Sequence, residues 1–105
     1  MAIWNLSDQD LADLTIGQEH VVIERYSERR NGFDVGRKIQ AQFANRKAAI
    51  EITEDTQVHF STTVPHETCT AAGFESVEKM KQSLEIDEET LIAVVRFRIA
   101  RVLDE

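Results

Sequence analysis

The stretch "LIAVVRFRIARVL", residues 91–103, reads as one long apolar strand, and its position frames the rest of the chain. Within it Arg96 and Arg98 share the face opposite Val95, Phe97 and Ile99. A strand this apolar is expected at the centre of a sheet. Upstream, "SVEKMKQSL" predicts a short helix: Ser76 is the N-cap, and Val77, Met80 and Leu84 lie at helical spacing. A second short helix precedes it, with Pro65 suited to its first turn and Gly73 to its C-terminal stop.

Further back, "AAIEITEDTQVHF" places Ala48, Ile50, Ile52, Val58 and Phe60 on one face. Its length predicts an acidic kink or bulge at Glu54-Asp55. "ANRK" connects it tightly to "RKIQAQF", where Ile39, Ala41 and Phe43 alternate with Lys38, Gln40 and Gln42. "EHVVIERYS" is another strand, and Asn31-Gly32 predicts a hairpin turn joining it to "RKIQAQF". The chain opens with a predicted helix from the Ser7 cap to Gly17, with Leu6 and Leu11 spaced as a hydrophobic staple. Trp4 and Ile3, just before it, are expected over an open end of the core. Helix, antiparallel strands, helical pair and central strand together predict one α+β domain over residues 1–105. It would be a small mixed β-barrel flanked by short helices, because closure removes exposed strand edges.

The 105 residues carry 42% hydrophobic and 30% charged side chains, which suits a folded domain and argues against disorder. No apolar segment is long enough to span a membrane, and no basic-then-apolar leader opens the chain. Cys69 is the single cysteine, so no internal disulfide forms, and a reducing, cytoplasmic setting is expected.

A formal net charge of -7 would repel nucleic acid, yet the charge is segregated. Residues 25–47 hold seven basic side chains against Glu28 and Asp34. Arg25, Arg29 and Arg30, with Arg37 and Lys38 across the expected hairpin, form a candidate phosphate-binding cluster, and Tyr26 offers a ring for base stacking. Their pairing with carboxylates across the sheet is the structural alternative. His20 could act as an acid or base near neutrality, although at the start of a strand beside Glu19 an ordinary exposed histidine is the favoured reading. His59, His66, Glu67 and Cys69 lack a paired zinc spacing, so neither a metal nor a cofactor is expected. Cys69 has no identifiable base and reads as a small buried residue.

On "FDVGRKI", "TTVPHETCTAAGFESVEKM" and "AVVRFRI", with the turn at Gly17, the chain resembles the ASCH domain of the PUA-like superfamily over roughly residues 11 to 103. The resemblance implies a PUA-like barrel with a cleft beside the first helix, suited to a nucleotide or the end of a nucleic acid. The family hallmark Gly-x-Lys-x-x-Glu-x-Arg falls, without gaps, on Glu19, Val22 and Glu24; one inserted residue shifts it to His20, Ile23 and Arg25. Some small members look like amidohydrolases that deacetylate N4-acetylcytidine with a Lys, a Thr and a Glu. Those positions read Glu19, Val22 and Ala71 or Ala72 here, removing the lysine such chemistry would use.

The expected function is therefore a non-catalytic RNA- or nucleotide-binding module that uses the basic hairpin and the cleft by the first helix, with single-stranded RNA or a nucleotide as partner. Hydrolysis of a modified nucleoside with an altered set such as His20, Glu24 and Arg25 is the enzymatic alternative. A protein-binding module, monomeric or weakly dimeric, recognising partners through its acidic helices and Trp4, is the third.

Overall fold

A computed structural model describes residues 3–6, 16–43 and 46–103. The elements are β1 (Ile3–Asn5), β2 (Glu19–Arg25), α1 (Glu28–Asn31), β3 (Lys38–Gln42), β4 (Lys47–Ile52), β5 (Gln57–Phe60), α2 (His66–Ala71), α3 (Val77–Leu84) and β6 (Leu91–Leu103). The helix expected between Ser7 and Gly17 lies mostly outside the described residues; Gly17 itself adopts φ 87°, the left-handed backbone expected there. No helix among the described residues is long and apolar enough to cross a membrane.

Six strands form one curled mixed sheet in the order β1-β3-β4-β6-β2, with β5 also on β6. As expected, β6 is central. One edge carries β2 in antiparallel register, Val22 opposite Val95 and Arg25 opposite Ile92. Its other edge is shared end to end: β4 pairs with the C-terminal half and β5 with the N-terminal end. Ile52 faces Phe97 and Gln57 faces Val94, so residues 53–56 span only Val95 and Arg96. The excess length bulges out at Glu54 and Asp55, where the acidic kink is predicted.

Two apolar clusters lie on opposite faces of β6. Ala93, Val95, Phe97 and Ile99 pack with Val22, Ile50, Phe33 and Trp4 inside the curl. Ile92 and Val94 pack with Ile23 beneath α2 and α3, against Cys69 and Met80. The helical pair follows its predicted bounds closely. Ser76 Oγ accepts the Lys79 N–H at 3.2 Å, and Pro65 sits at the N-cap of α2.

The predicted hairpin does not form. β2 pairs with β6, whereas β3 lies between β1 and β4. Asn31 is fully buried: its Oδ1 accepts the Ser27 N–H, and its Nδ2 donates to Glu24 and to the Arg25 carbonyl, each at 2.9 Å. These bonds turn the segment into the single helical turn α1, and the Asn-Gly signal loses to them.

Two apolar assignments also change. Trp4 does not cap an open core end, because as part of β1 it is 3% exposed and meets Phe33 and Phe97 edge-on. Val58 and Phe60 point to the face expected, beside Ala93 and Leu91, yet are 42% and 51% exposed. β5 lies at the rim, where its only strand neighbour among the described residues is β6.

Nor, among the described residues, does backbone pairing close the barrel. β1 and β2 are opposite rims of the sheet, and side chains bridge them. Trp4 Nε1 donates to Glu24 Oε1 at 2.9 Å, and Arg30 Nη2 donates to the Asn5 carbonyl at 2.9 Å. The result is a half-barrel with a seam.

Candidate functional site

A cleft of about 1120 Å³ opens along β2, between the seam and the helical pair. Asn5 and Leu6 line it from the β1 side, and Gln18 to Val21 with Glu24 to Ser27 from β2 and its ends. Ala71 to Phe74 close it from the end of α2, Ser83 and Leu84 from α3, and Arg96 from β6. The volume is of the order of pockets that enclose small organic ligands, roughly 300–1,000 Å³.

Of the basic cluster read from the sequence, Arg25, Tyr26 and Arg30 line this cleft, while Arg29, Arg37 and Lys38 do not. The separation follows from the missing hairpin, since β3 belongs to the other side of the sheet. Arg37 sits over the Phe33 ring at 5.6 Å, a cation–π contact worth about 0.5–1 kcal/mol at an exposed position. Lys38 stands opposite Glu51 in the β3–β4 ladder. Arg29 is exposed on α1 and has no carboxylate within ion-pair distance among the described residues.

The cleft guanidinium groups are held in different ways. Arg30 reaches Glu24 with Nε at 3.3 Å and Nη2 at 3.4 Å. Arg96 lies 3.4 Å from Glu54 and 3.8 Å from Glu19. Arg25 donates from Nε and Nη2 to the Leu84 carbonyl, both at 3.3 Å, and from Nη2 to the Glu85 carbonyl at 2.6 Å. Basic side chains suit the carbonyl-rich end of a helix, so Arg25 docks α3 on β2.

Glu24 is the polar knot of the seam. Trp4 Nε1 and Asn31 Nδ2 each donate to its Oε1 at 2.9 Å, and the Arg30 guanidinium covers both oxygens. Four residues earlier on the same face of β2, His20 packs against Phe97 with ring centroids 5.7 Å apart. Its Nε2 is buried without a hydrogen-bond partner among the described residues, and burial lowers its pKa. His20 therefore brings a neutral imidazole to the cleft at neutral pH.

Phe74 and Arg96 are cleft residues that reading the sequence for function did not single out. Arg96 carried a signal, as a charge inside an apolar strand, whereas Phe74 had the ordinary look of a packing residue. Among the described residues, no three His, Cys, Asp or Glu side chains converge as metal ligands. Cys69 is fully buried, with Sγ 3.9 Å from the Met80 sulfur, and burial pushes its thiol up, away from the nucleophilic thiolate. Compared with known protein families, curated proteins and solved structures, the chain has no match.

Proposed function

We propose that the protein is a non-catalytic nucleotide- or single-stranded-RNA-binding module, and that the seam cleft holds the ligand. The observation that carries this reading is the meeting of Arg25, Arg30 and Arg96 with the Tyr26 and Phe74 rings around one open cavity. Guanidinium groups match phosphate geometry, and an aromatic face accepts any base. The finer reading of the fold, a PUA-like barrel of the ASCH type, belongs to the same proposal. The positions that the resemblance assigns to amidohydrolase chemistry include Glu19 and Ala71 or Ala72, which border this cleft. The free Cys69 suits a reducing, cytoplasmic setting.

Hydrolysis is the weaker reading. His20 and Glu24 are four residues apart along one strand, about 13 Å at strand rise, too far to act on one bond. The donors around Glu24 also occupy the oxygens a general base would need.

The test is amide shift mapping by NMR as pentauridylate is added at low and high salt. Saturable shifts are expected in Gln18–Ser27 and Ala71–Phe74, with affinity falling as salt rises. Shifts confined to other surfaces, or none at all, would remove the proposal.

A further inference from the structure

β5 leaves one backbone edge uncovered, since its only strand neighbour among the described residues is β6. Along an antiparallel strand, successive residues turn their N–H and C=O groups to alternate sides. The Ser61 N–H donates to the Thr90 carbonyl at 3.3 Å, so His59 and Gln57 also turn toward β6, and Val58 and Phe60 turn away from it. Both ends of this outward edge are bounded. The Thr56 N–H donates to the Phe33 carbonyl at 2.9 Å, and beyond Phe60 the chain leaves the strand in a turn at residues 61–63. The Thr63 N–H takes one lone pair of the Phe60 carbonyl at 3.0 Å and leaves the other.

Sheet edges are commonly guarded by lysine, proline or inward-pointing charge. Residues 56–64, "TQVHFSTTV", hold none of these in a chain of net charge -7. On the inner face of the curl the edge is apolar as well: Val58 is 42% exposed, Phe60 51%, and Leu91 beside Phe60 41%. The outward residues flank His59 symmetrically. A copy running antiparallel about a two-fold axis at His59 therefore sets Val58 opposite Phe60 of the copy, twice, with four N–H···O=C bonds. Slipping by one residue opposes an outward residue to an inward one, and slipping by two calls on Thr56 or on the turn. The two-fold register also aligns an apolar row, Leu91 and Phe60 with Val58 and Ala93 of the copy. Charge fits too. The acidic bulges at Glu54 and Asp55 fall at opposite ends of the pair, Asp55 level with the uncharged Thr63.

We propose that β5 is a self-association edge, at which two copies of this chain join their sheets in antiparallel register with His59 on the two-fold axis. The surface is separate from the seam cleft, so the inference stands independently of what the cleft holds. One short strand pair buries less than the roughly 1,200–2,000 Å² of stable complexes. The dimer is accordingly weak and forms in concentrated solution.

The experiment is sedimentation equilibrium of the full chain up to about 1 mM, the weak end of specific affinities. The dimer fraction should rise with concentration. Phe60→Lys should weaken association at least tenfold, even though it makes the chain less negative and so reduces general repulsion. Ile3→Lys makes the same charge change at an exposed apolar position of β1 and should leave association as it is. The register is read by mild oxidation of two single-cysteine additions, with Cys69 fully buried in both. His59→Cys faces itself in a non-hydrogen-bonded pair, Cα atoms about 4.5 Å apart, within the span of a disulfide. Gln57→Cys lies four residues out of register with itself, about 13 Å along the strand. The first should cross-link at least tenfold faster than the second, and this comparison decides alone should Phe60→Lys fail to fold. A monomer at every concentration, a dimer lost with Ile3→Lys and kept with Phe60→Lys, or equal cross-linking at both positions would overturn the proposal.

Discussion

His20 shows how a strand position acquires chemical character from what it packs on. In sequence it is one histidine beside Glu19, where an ordinary exposed role is the favoured reading. In the fold its ring lies on Phe97 and its Nε2 is enclosed. Burial lowers its pKa below the ordinary histidine value of 6.5, so the unfolded chain takes up this proton more readily than the folded one. The stability His20 sustains is complete above the unfolded value and is lost as pH falls through it toward the lowered folded value. Urea midpoints of wild type and His20→Gln between about pH 5 and pH 8 should therefore diverge in their pH dependence, the wild type losing more on the acid side. Parallel profiles would show that the imidazole is solvated in the native state. No sequence signal could have predicted this, because Phe97 lies at the other end of the chain.

The elements divide by how local their causes are. α3 was legible because Ser76 and its apolar spacing lie within a few residues of each other, and Ser76 accepts the Lys79 N–H as an N-cap does. The alternation in "KIQAQ" made β3 legible too. The Asn31-Gly32 turn was misread because its outcome depends on Glu24 and on β6, which claims the whole inner edge of β2. A turn signal worth little by itself yields to a ladder and a buried amide network. Element geometry also marks a place for improvement. Glu85 closes α3 at φ 54°, a left-handed position that glycine occupies without strain. Glu85→Gly should raise stability by about 0.5–1 kcal/mol in urea unfolding, and a loss would mean the Glu85 side chain has a role beyond its backbone.

At the scale of the molecule, β6 joins everything. It supplies the floor of both apolar clusters, and β2, β4 and β5 all pair with it. Phe97→Ala should cost about 3–5 kcal/mol, and unfolding followed by tryptophan fluorescence and by circular dichroism should coincide in one transition. Two separated transitions would mean that the helical layer holds together without the curl. The centrality of β6 could be read from its apolar content, as could the α+β class. The site was only half legible: the basic window is real, but its members part company where β2 and β3 part. Charge composition carries no information about which strand edges meet, and the cleft lies along the β2 rim between the seam and the helical pair.

The rims of this sheet are stapled by an indole on a carboxylate and a guanidinium on a carbonyl. The two halves differ in freedom: the Arg30 side chain is about half exposed and can exchange rotamers on the nanosecond scale, whereas Trp4 is wedged between Phe33 and Phe97. The guanidinium can thus let go of its carbonyl while the indole keeps the rims together, and parting them fully would empty a place in the core.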